Sequence, residues 1–223
     1  MRNYGLRLRR GGFHSLFLIH NSLFDCSMKF VHLHVHSHYS LLDGLPKPVE
    51  LVVKAKELGM NAVALTDHGS MYGIIEFYKH AKKQGVKPII GAELYVAARR
   101  MQDKQAGIDD KRFHLTLLAE TNAGYKNLIK LVTAANLEGF YYKPRVDKET
   151  LAKHCEGIIA LSGCMGGEIP RAIAGQNFEL AEELVRAYKE IFGPRHFYLE
   201  LAYHPNIKLQ DTINKKLIEY AER

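Results

Sequence analysis

The stretch Val31 to Ser40, VHLHVHSHYS, sets four of the chain's twelve histidines at every second residue. Period-two alternation is the mark of a β-strand whose side chains point to opposite faces. On that reading Val31, Leu33 and Val35 share one face, and His32, His34 and His36 share the other. In a barrel the apolar face would pack on outer helices. The histidines would project inward, with His36 nearest the C-terminal end of the strand. Alternate residues on one face lie roughly 7 Å apart, so two imidazoles can serve one metal ion or two neighbouring ones. An H-x-H pair alone is a weak pattern, and the rest of the chain has to decide its meaning.

Downstream, strand-like and helix-like segments alternate. PVELVVKAKELG reads as a helix, with Pro48 in its first turn and Gly59 at its end. NAVALT reads as a buried strand, MYGIIEFYKHAKKQG as a helix closed by Gly85, and KPIIGAELYVA as a strand. A charged loop, RRMQDKQAGIDDKR, leads to the strand FHLTLLA. Then follow a helix capped by Thr121 with a stripe of Tyr125, Leu128, Ile129, Val132 and Ala135, and the strand EGIIALSG. A helix capped by Asn177, the strand FYLELAY and a last helix LQDTINKKLIEYAE complete the series. A repeated β-α order argues for a parallel sheet or barrel.

The polar residues collect around these strands. Asp67 and His68 follow one, Glu93 interrupts a second, His114 opens a third, Cys164 follows a fourth, and Glu200 and His204 mark a fifth. Active sites of α/β barrels lie at the C-terminal strand ends. Asp67, His68, Cys164 and His204 obey that rule, whereas Glu93 and His114 fit it less clearly. Six unpaired buried polar groups are not credible without compensation, and metal ions supply it. Imidazole, carboxylate and thiolate form the zinc ligand set, and the first two also suit manganese or iron. No close-spaced finger pattern occurs, which argues against a small structural zinc site.

Bulk properties narrow the class. The chain has 223 residues, 47% hydrophobic and 25% charged, with a net charge of +7. Those values suit a soluble globular protein with a mild preference for anions. The three cysteines, Cys26, Cys155 and Cys164, form no C-x-x-C pair, so a reducing, cytoplasmic setting is expected. No segment reaches the ~18 apolar residues of a membrane span. Residues 1–27 begin basic and turn apolar like a signal peptide. His20 and Asn21 break the apolar run, however, and no small-residue cleavage site follows.

HLHVHSHYSLLDG, LTDHGSMYG, IIGAELYV, HLTLLAETNAGYKNL and LSGCMGGEIP together resemble the PHP domain (polymerase and histidinol phosphatase). They look like the version at the N-terminus of the alpha subunit of bacterial replicative DNA polymerase III. The likeness starts at about Met28, which divides the chain into a 1–27 extension, disordered or a misassigned start, and a PHP domain over 28–223. The resemblance implies an α/β fold, a distorted (β/α)7 TIM-like barrel. Its last strand, with an Asp-x-His motif, would lie beyond Arg223. By motif, His34, His36, Asp43, His68, Glu93, His114 and Cys164 resemble the residues that bind up to three divalent ions, zinc or manganese, and carry catalysis. His32, Asp67 and His204 are expected to support them from behind.

The implied activity is metal-dependent phosphodiester hydrolysis, a 3′–5′ proofreading exonuclease within a DNA-directed DNA polymerase whose polymerising site lies elsewhere. Expected partners are DNA, the remainder of the alpha subunit and other replisome subunits, with no membrane. In GFYYKPRVD, Lys143 and Arg145 are candidates for a nucleic-acid backbone and Tyr141 or Tyr142 for base stacking. Two other readings stay open: a stand-alone phosphomonoesterase of the histidinol phosphatase kind, and a non-catalytic module that stabilises the polymerase.

Overall fold

The computed structural model describes the backbone of Phe17–Leu18 and residues 30–223. The expectation that the domain begins at Met28 therefore lies outside the described residues. The first half contains β1 (Phe17–Leu18), α1 (Pro48–Glu57), β2 (Ala62–Leu65), α2 (Ile74–Gln84), β3 (Lys87–Ala97), β4 (Arg112–Ala119) and α3 (Asn122–Leu137). The second half contains β5 (Arg145–Val146), α4 (Lys148–Lys153), β6 (Ile158–Leu161), α5 (Glu168–Ala174), α6 (Phe178–Phe192), β7 (Phe197–Tyr198), β8 (Glu200–Leu201) and α7 (Lys208–Ala221). Helix ends follow local chemistry. Thr121 and Asn177 accept from the backbone N–H groups of Gly124 and Leu180. Gly85 stops α2 at φ +73, a conformation that costs glycine nothing. In α3 the buried face holds Leu128, Leu131 and Ala135, whereas Ile129 is exposed, so the stripe runs one position away from its expected line.

The sheet runs β2-β3-β4-β6-β7, with β5 beside β3. It is mixed rather than parallel. β2–β3, β3–β5 and β6–β7 are parallel, whereas β4 runs antiparallel to both β3 and β6. The cause is the charged loop between β3 and β4. It contains no helix to carry the chain back, so the strand returns as a hairpin. The fold is an α/β, TIM-like barrel whose strand ladder does not close among the described residues. β8 pairs with β1, not β7.

This reversal places the polar residues. Because β4 runs backwards, its first residues stand beside the last of β3, with Ala97 opposite Arg112 and Tyr95 opposite His114. His114, at the start of its strand, therefore reaches the same rim as the loops after β2 and β6. Glu93 reaches it for a different reason. β2 pairs only with residues 87–90, so β3 overshoots and Glu93 lies level with the loop after β2. There Glu93 N donates to Asp67 O, and Gly69 N donates to Glu93 O.

Alternation then sorts the faces. Ala92, Leu94 and Val96 of β3, Leu115 and Leu117 of β4, and Ile158 and Ala160 of β6 join the outer core under α3, α5, α6 and α7. Facing inward, Ala64, Leu118 and Leu161 form an apolar plug with Leu33, Ile89, Ile159 and Tyr198 packed on it. The plug fills one end of the interior, and Glu93, Thr116 and His114 line the other.

Residues 31–37 do not form the regular strand that their alternation predicts. His32 O accepts from Ala64 N at 2.9 Å, and Val35 O accepts from Thr66 N at 2.8 Å. Three residues on one side thus span two on the other, the signature of a bulge. The Thr66 hydroxyl fills the irregularity, accepting from Val35 N and donating to Val35 O. The bulge turns Leu33 into the inner plug, while Val35 packs outward against α1 and α2. His32 is separated from His34 and His36.

Candidate metal centre

Glu93, only 1% exposed, is the hub. Its Oε1 lies 3.2 Å from His34 Nε2 and 2.9 Å from His114 Nδ1. Its Oε2 lies 3.4 Å from His36 Nε2 and 2.6 Å from His68 Nδ1. His68 Nε2 continues to Asp43 Oδ2 at 2.8 Å. Cys164 Sγ stands 3.7 Å from His114 Nδ1 and 3.8 Å from Glu93 Oε1. The structure thus brings together His34, His36, Asp43, His68, Glu93, His114 and Cys164. Three overlapping groups, His34/His36/Glu93, His36/Asp43/His68 and His68/Glu93/His114, each keep their ligand-type atoms within 4.8 Å of one another.

Glycines hold the Cys164 loop against this hub. Gly163 adopts φ +79, and a Cβ at Gly166 would meet the His114 ring at 2.8 Å. The chain can pass that close to an imidazole only where no side chain intervenes.

Behind the ligand atoms stands a second layer of bonds. Asp67 is buried and accepts from Ser37 N, Ser37 Oγ and Ser40 Oγ, each at 2.7 Å. Ser40 Oγ also lies 2.9 Å from His36 Nδ1 and accepts from His68 N. Ser40 has one proton, and the carboxylate can only accept, so that proton goes to Asp67. Ser40 Oγ must then accept from His36 Nδ1–H. This fixes the His36 tautomer and leaves its Nε2 lone pair facing His34 Nε2, 3.1 Å away. Glu200 does the same for His34. Its Oε1 takes His34 Nδ1–H at 2.6 Å and turns Nε2 toward Glu93. Glu200 belongs to this site although the sequence-derived set omits it. Its signal was present: it is the one charge in the strand FYLELAY. Ser40 gave no comparable signal.

Electrostatics follow the geometry. Burial alone would lower His34, but the Glu200 and Glu93 carboxylates hold it well above the ordinary histidine value. Burial likewise opposes the rise of His68, which Glu93 and Asp43 produce. His114 is raised to about 9 against burial by Cys164 and Glu93. His36 is lowered to about 4, chiefly by burial, with His34 and His68 adding to the effect. Burial would raise Glu93, but bonds from His114, His34 and His68 hold it far below the usual carboxylate range. The cluster without metal is therefore held together by protons, with one carboxylate bonded to imidazolium rings.

Four expected site residues lie elsewhere. The His32 ring packs edge-on against Phe30 at 4.7 Å, and the bulge keeps it from the cluster. His204 is exposed in the turn before α7, and none of its described bonds reaches the cluster. Arg145 is fully buried and cannot meet a nucleic-acid backbone. Its guanidinium donates to the carbonyls of Gly139, Asp109, Met101 and Asp103, which ties two loops together. Tyr141 lies on Arg145, with the guanidinium carbon 5.1 Å from the ring centre, so it belongs to the same anchor. Lys143 and Tyr142 are exposed. Asp67 supports the site through Ser40, as described.

Residues 32–204 match the model of the PHP domain. The chain belongs to the PHP family. Among curated relatives, this PHP chain is 50% identical over 194 residues to the DNA polymerase III subunit alpha of Borreliella burgdorferi, covering 86% of this chain and 17% of that protein. It is 47% identical over 200 residues to the same subunit of Thermus aquaticus, covering 88% and 16%. The chain thus spans about a sixth of the length of these relatives. In fold it is similar to a candidate metal-dependent phosphoesterase from Bifidobacterium adolescentis, with a TM-score of 0.55 over 86% of this chain and 83% of that one, at 13% identity. Among the described residues, no helix is long and apolar enough to cross a membrane.

Proposed function

We propose that this chain is the PHP domain of a cytoplasmic DNA polymerase III alpha subunit and that its cluster hydrolyses phosphodiesters of DNA with divalent metal ions, as a 3′–5′ exonuclease. One observation carries the reading: four imidazoles converge on the two oxygens of the buried Glu93. The likeness to polymerase alpha subunits supports DNA as the substrate, and the rest of such a subunit with its replisome as the partners.

The donor set fits divalent ions. Two ligands about 2.05 Å from a tetrahedral ion stand about 3.3 Å apart. His34 Nε2 stands 3.1 Å from His36 Nε2 and 3.2 Å from Glu93 Oε1, close to that spacing. Glu200 Oε2 is buried without a hydrogen-bond partner, as an atom awaiting another partner is, whereas Glu93 Oε2 and His68 Nδ1 have each other at 2.6 Å. Glu93 presents one oxygen to His34 and His114 and the other to His36 and His68, so these five residues would hold up to two ions. The Asp43 side of His68 offers a place for a third. Imidazole with carboxylate suits zinc or manganese, and Cys164 tilts the choice toward zinc.

A bound divalent ion supplies a Lewis acid and lowers the pKa of its water toward ~7. The chain's own residues do the rest. Ser40 and Asp67 fix the His36 tautomer, and Glu200 fixes that of His34. Asp43, with its side chain 59% exposed, stands where a substrate can reach it. The test is the full-length protein carrying His34→Ala or Asp43→Asn, assayed for 3′ hydrolysis of single-stranded DNA and for nucleotide incorporation. Loss of hydrolysis with incorporation spared is the expected result. Unchanged hydrolysis in both variants would place the activity elsewhere. Bound metal without hydrolysis in the unsubstituted protein would reduce the domain to a structural module.

A further inference from the structure

Beside the cluster stands a pair of cations that metal binding does not use. Arg112 precedes His114 by two residues on β4 and therefore shares its inward face. Its Cζ lies 5.9 Å from the centre of the Tyr95 ring. Lys143 Nζ lies 5.9 Å from the centre of the same ring. That ring is in turn 5.2 Å from His114 and 5.7 Å from His68, centre to centre. Both cations thus stand one aromatic ring away from two of the cluster's histidines. Neither forms an ion pair among the described residues. Arg112 uses one nitrogen, Nη1, on the Asp110 carbonyl. At 5.9 Å both charged groups are near the outer limit of a cation–π contact, which leaves their N–H donors available to an anion.

The segment that presents Lys143 is fixed. Tyr141 N donates to Lys143 O, closing a tight turn over Tyr142, which sits at φ +58 with 66% of its surface exposed. A positive φ costs a non-glycine residue about 1 kcal/mol or more and persists only where its surroundings impose it. Here the surroundings are visible. Pro144 packs where a Cβ on Gly69 would stand, against the loop that carries His68. Arg145 is bonded to four carbonyls. Strained backbone and a buried guanidinium hold an exposed lysine and an exposed aromatic ring at the edge of the cluster.

We propose that Arg112 and Lys143, mounted on Tyr95, form a phosphate subsite that holds a backbone phosphate of a single nucleic-acid strand next to the one at the metal cluster, with Tyr142 as a stacking surface for a base. The proposal rests on the phosphodiester reading of the cluster for its context, but not for its test. Positively charged grooves with aromatic platforms are how single strands are bound without regard to sequence.

The experiment titrates the full chain with a fluorescently labelled short oligothymidylate over a range of salt concentrations, with chelator and then with added manganese. It compares Lys143→Ala, Arg112→Gln and the double variant. Lys143 is exposed, so its replacement leaves the fold intact, and melting curves check Arg112→Gln. For a single strand, each lost phosphate contact should lower the slope of log affinity against log salt by about 0.7. Because the two cations share one phosphate, the double variant should lose about 0.7 in slope and on the order of tenfold in affinity at moderate salt, with its metal content unchanged. Unchanged slope and affinity in a folded double variant would overturn the subsite. The outcome separates from that of the cluster. His34→Ala should abolish hydrolysis and leave the slope intact. A chain that takes up no metal but still loses slope with Lys143 would refute the cluster and keep the subsite.

Discussion

Replacing Glu93 by glutamine should flatten the pH dependence of the metal-free chain's stability. In the unsubstituted chain His114 is raised from 6.5 to about 9 by Cys164 and Glu93 against its burial. A raised folded-state value means that this stabilisation is fully present below about pH 6.5 and is lost as pH climbs through about 9. Its size is about 3 kcal/mol, from about 1.4 kcal/mol per pH unit. His34 and His68 are also raised, so they add to the same loss. Glutamine keeps the shape of Glu93 and removes the charge. The three imidazoles then keep their burial and lose the carboxylate they share, so their values should fall, although His34 keeps Glu200, His68 keeps Asp43 and His114 keeps Cys164. The unsubstituted chain should therefore lose stability between about pH 6 and 9, while Glu93→Gln should lose less over the same range. The gap between the two should be widest near pH 6 and narrow toward pH 9 by up to about 3 kcal/mol, or up to about 6–12 °C in Tm for a chain of this size. The assay is chemical and thermal denaturation with chelator at both ends of the range. A constant gap from about pH 6 to 9 would show that the protons are not where this account puts them.

Glu200→Gln should weaken metal binding by about 10- to 100-fold while leaving the fold in place, since the loss of a carboxylate behind a ligating histidine has that effect; competition with a chromogenic chelator measures it. Cys164→Ser should lower affinity for zinc far more than for manganese, because a thiolate favours the softer ion; parallel titrations with the two ions check it. Arg145→Met should destabilise the chain by about 3 kcal/mol or more by leaving four carbonyls without their donor. Metal affinity of the folded fraction should not change, as melting and metal analysis can show.

Much of the cluster was legible because imidazole and carboxylate side chains stand at particular places in apolar sequence. His34, His36, His68 and Glu93 interrupt strand-like apolar sequence, where a polar side chain needs a reason. What stayed hidden was set by geometry across distant segments. The reversal of β4 left a local trace, a long charged loop with no helix between two strands, but the repeated β-α order outweighed it. The bulge that sends Leu33 inward and separates His32 from its neighbours depends on the Thr66 hydroxyl, thirty-one residues from Val35. Arg145 reads as a solvent-facing cation in KPR, and only the surrounding carbonyls make it a buried clamp. Ser40 matters through a proton count that no spacing reveals.

The His34–Glu200 contact joins residues 166 positions apart, and Cys164 meets Glu93 from 71 positions away. No short piece of the chain contains a complete set of ligands. Loop closure over such separations comes late, because its entropy is repaid only when the intervening elements are already packed. Ions at the proposed centre would therefore bind after the fold forms, slowing unfolding and leaving the folding rate nearly untouched. Metal uptake during refolding would then act as a clock for the completed topology, starting only when the first histidines and the eighth strand have met.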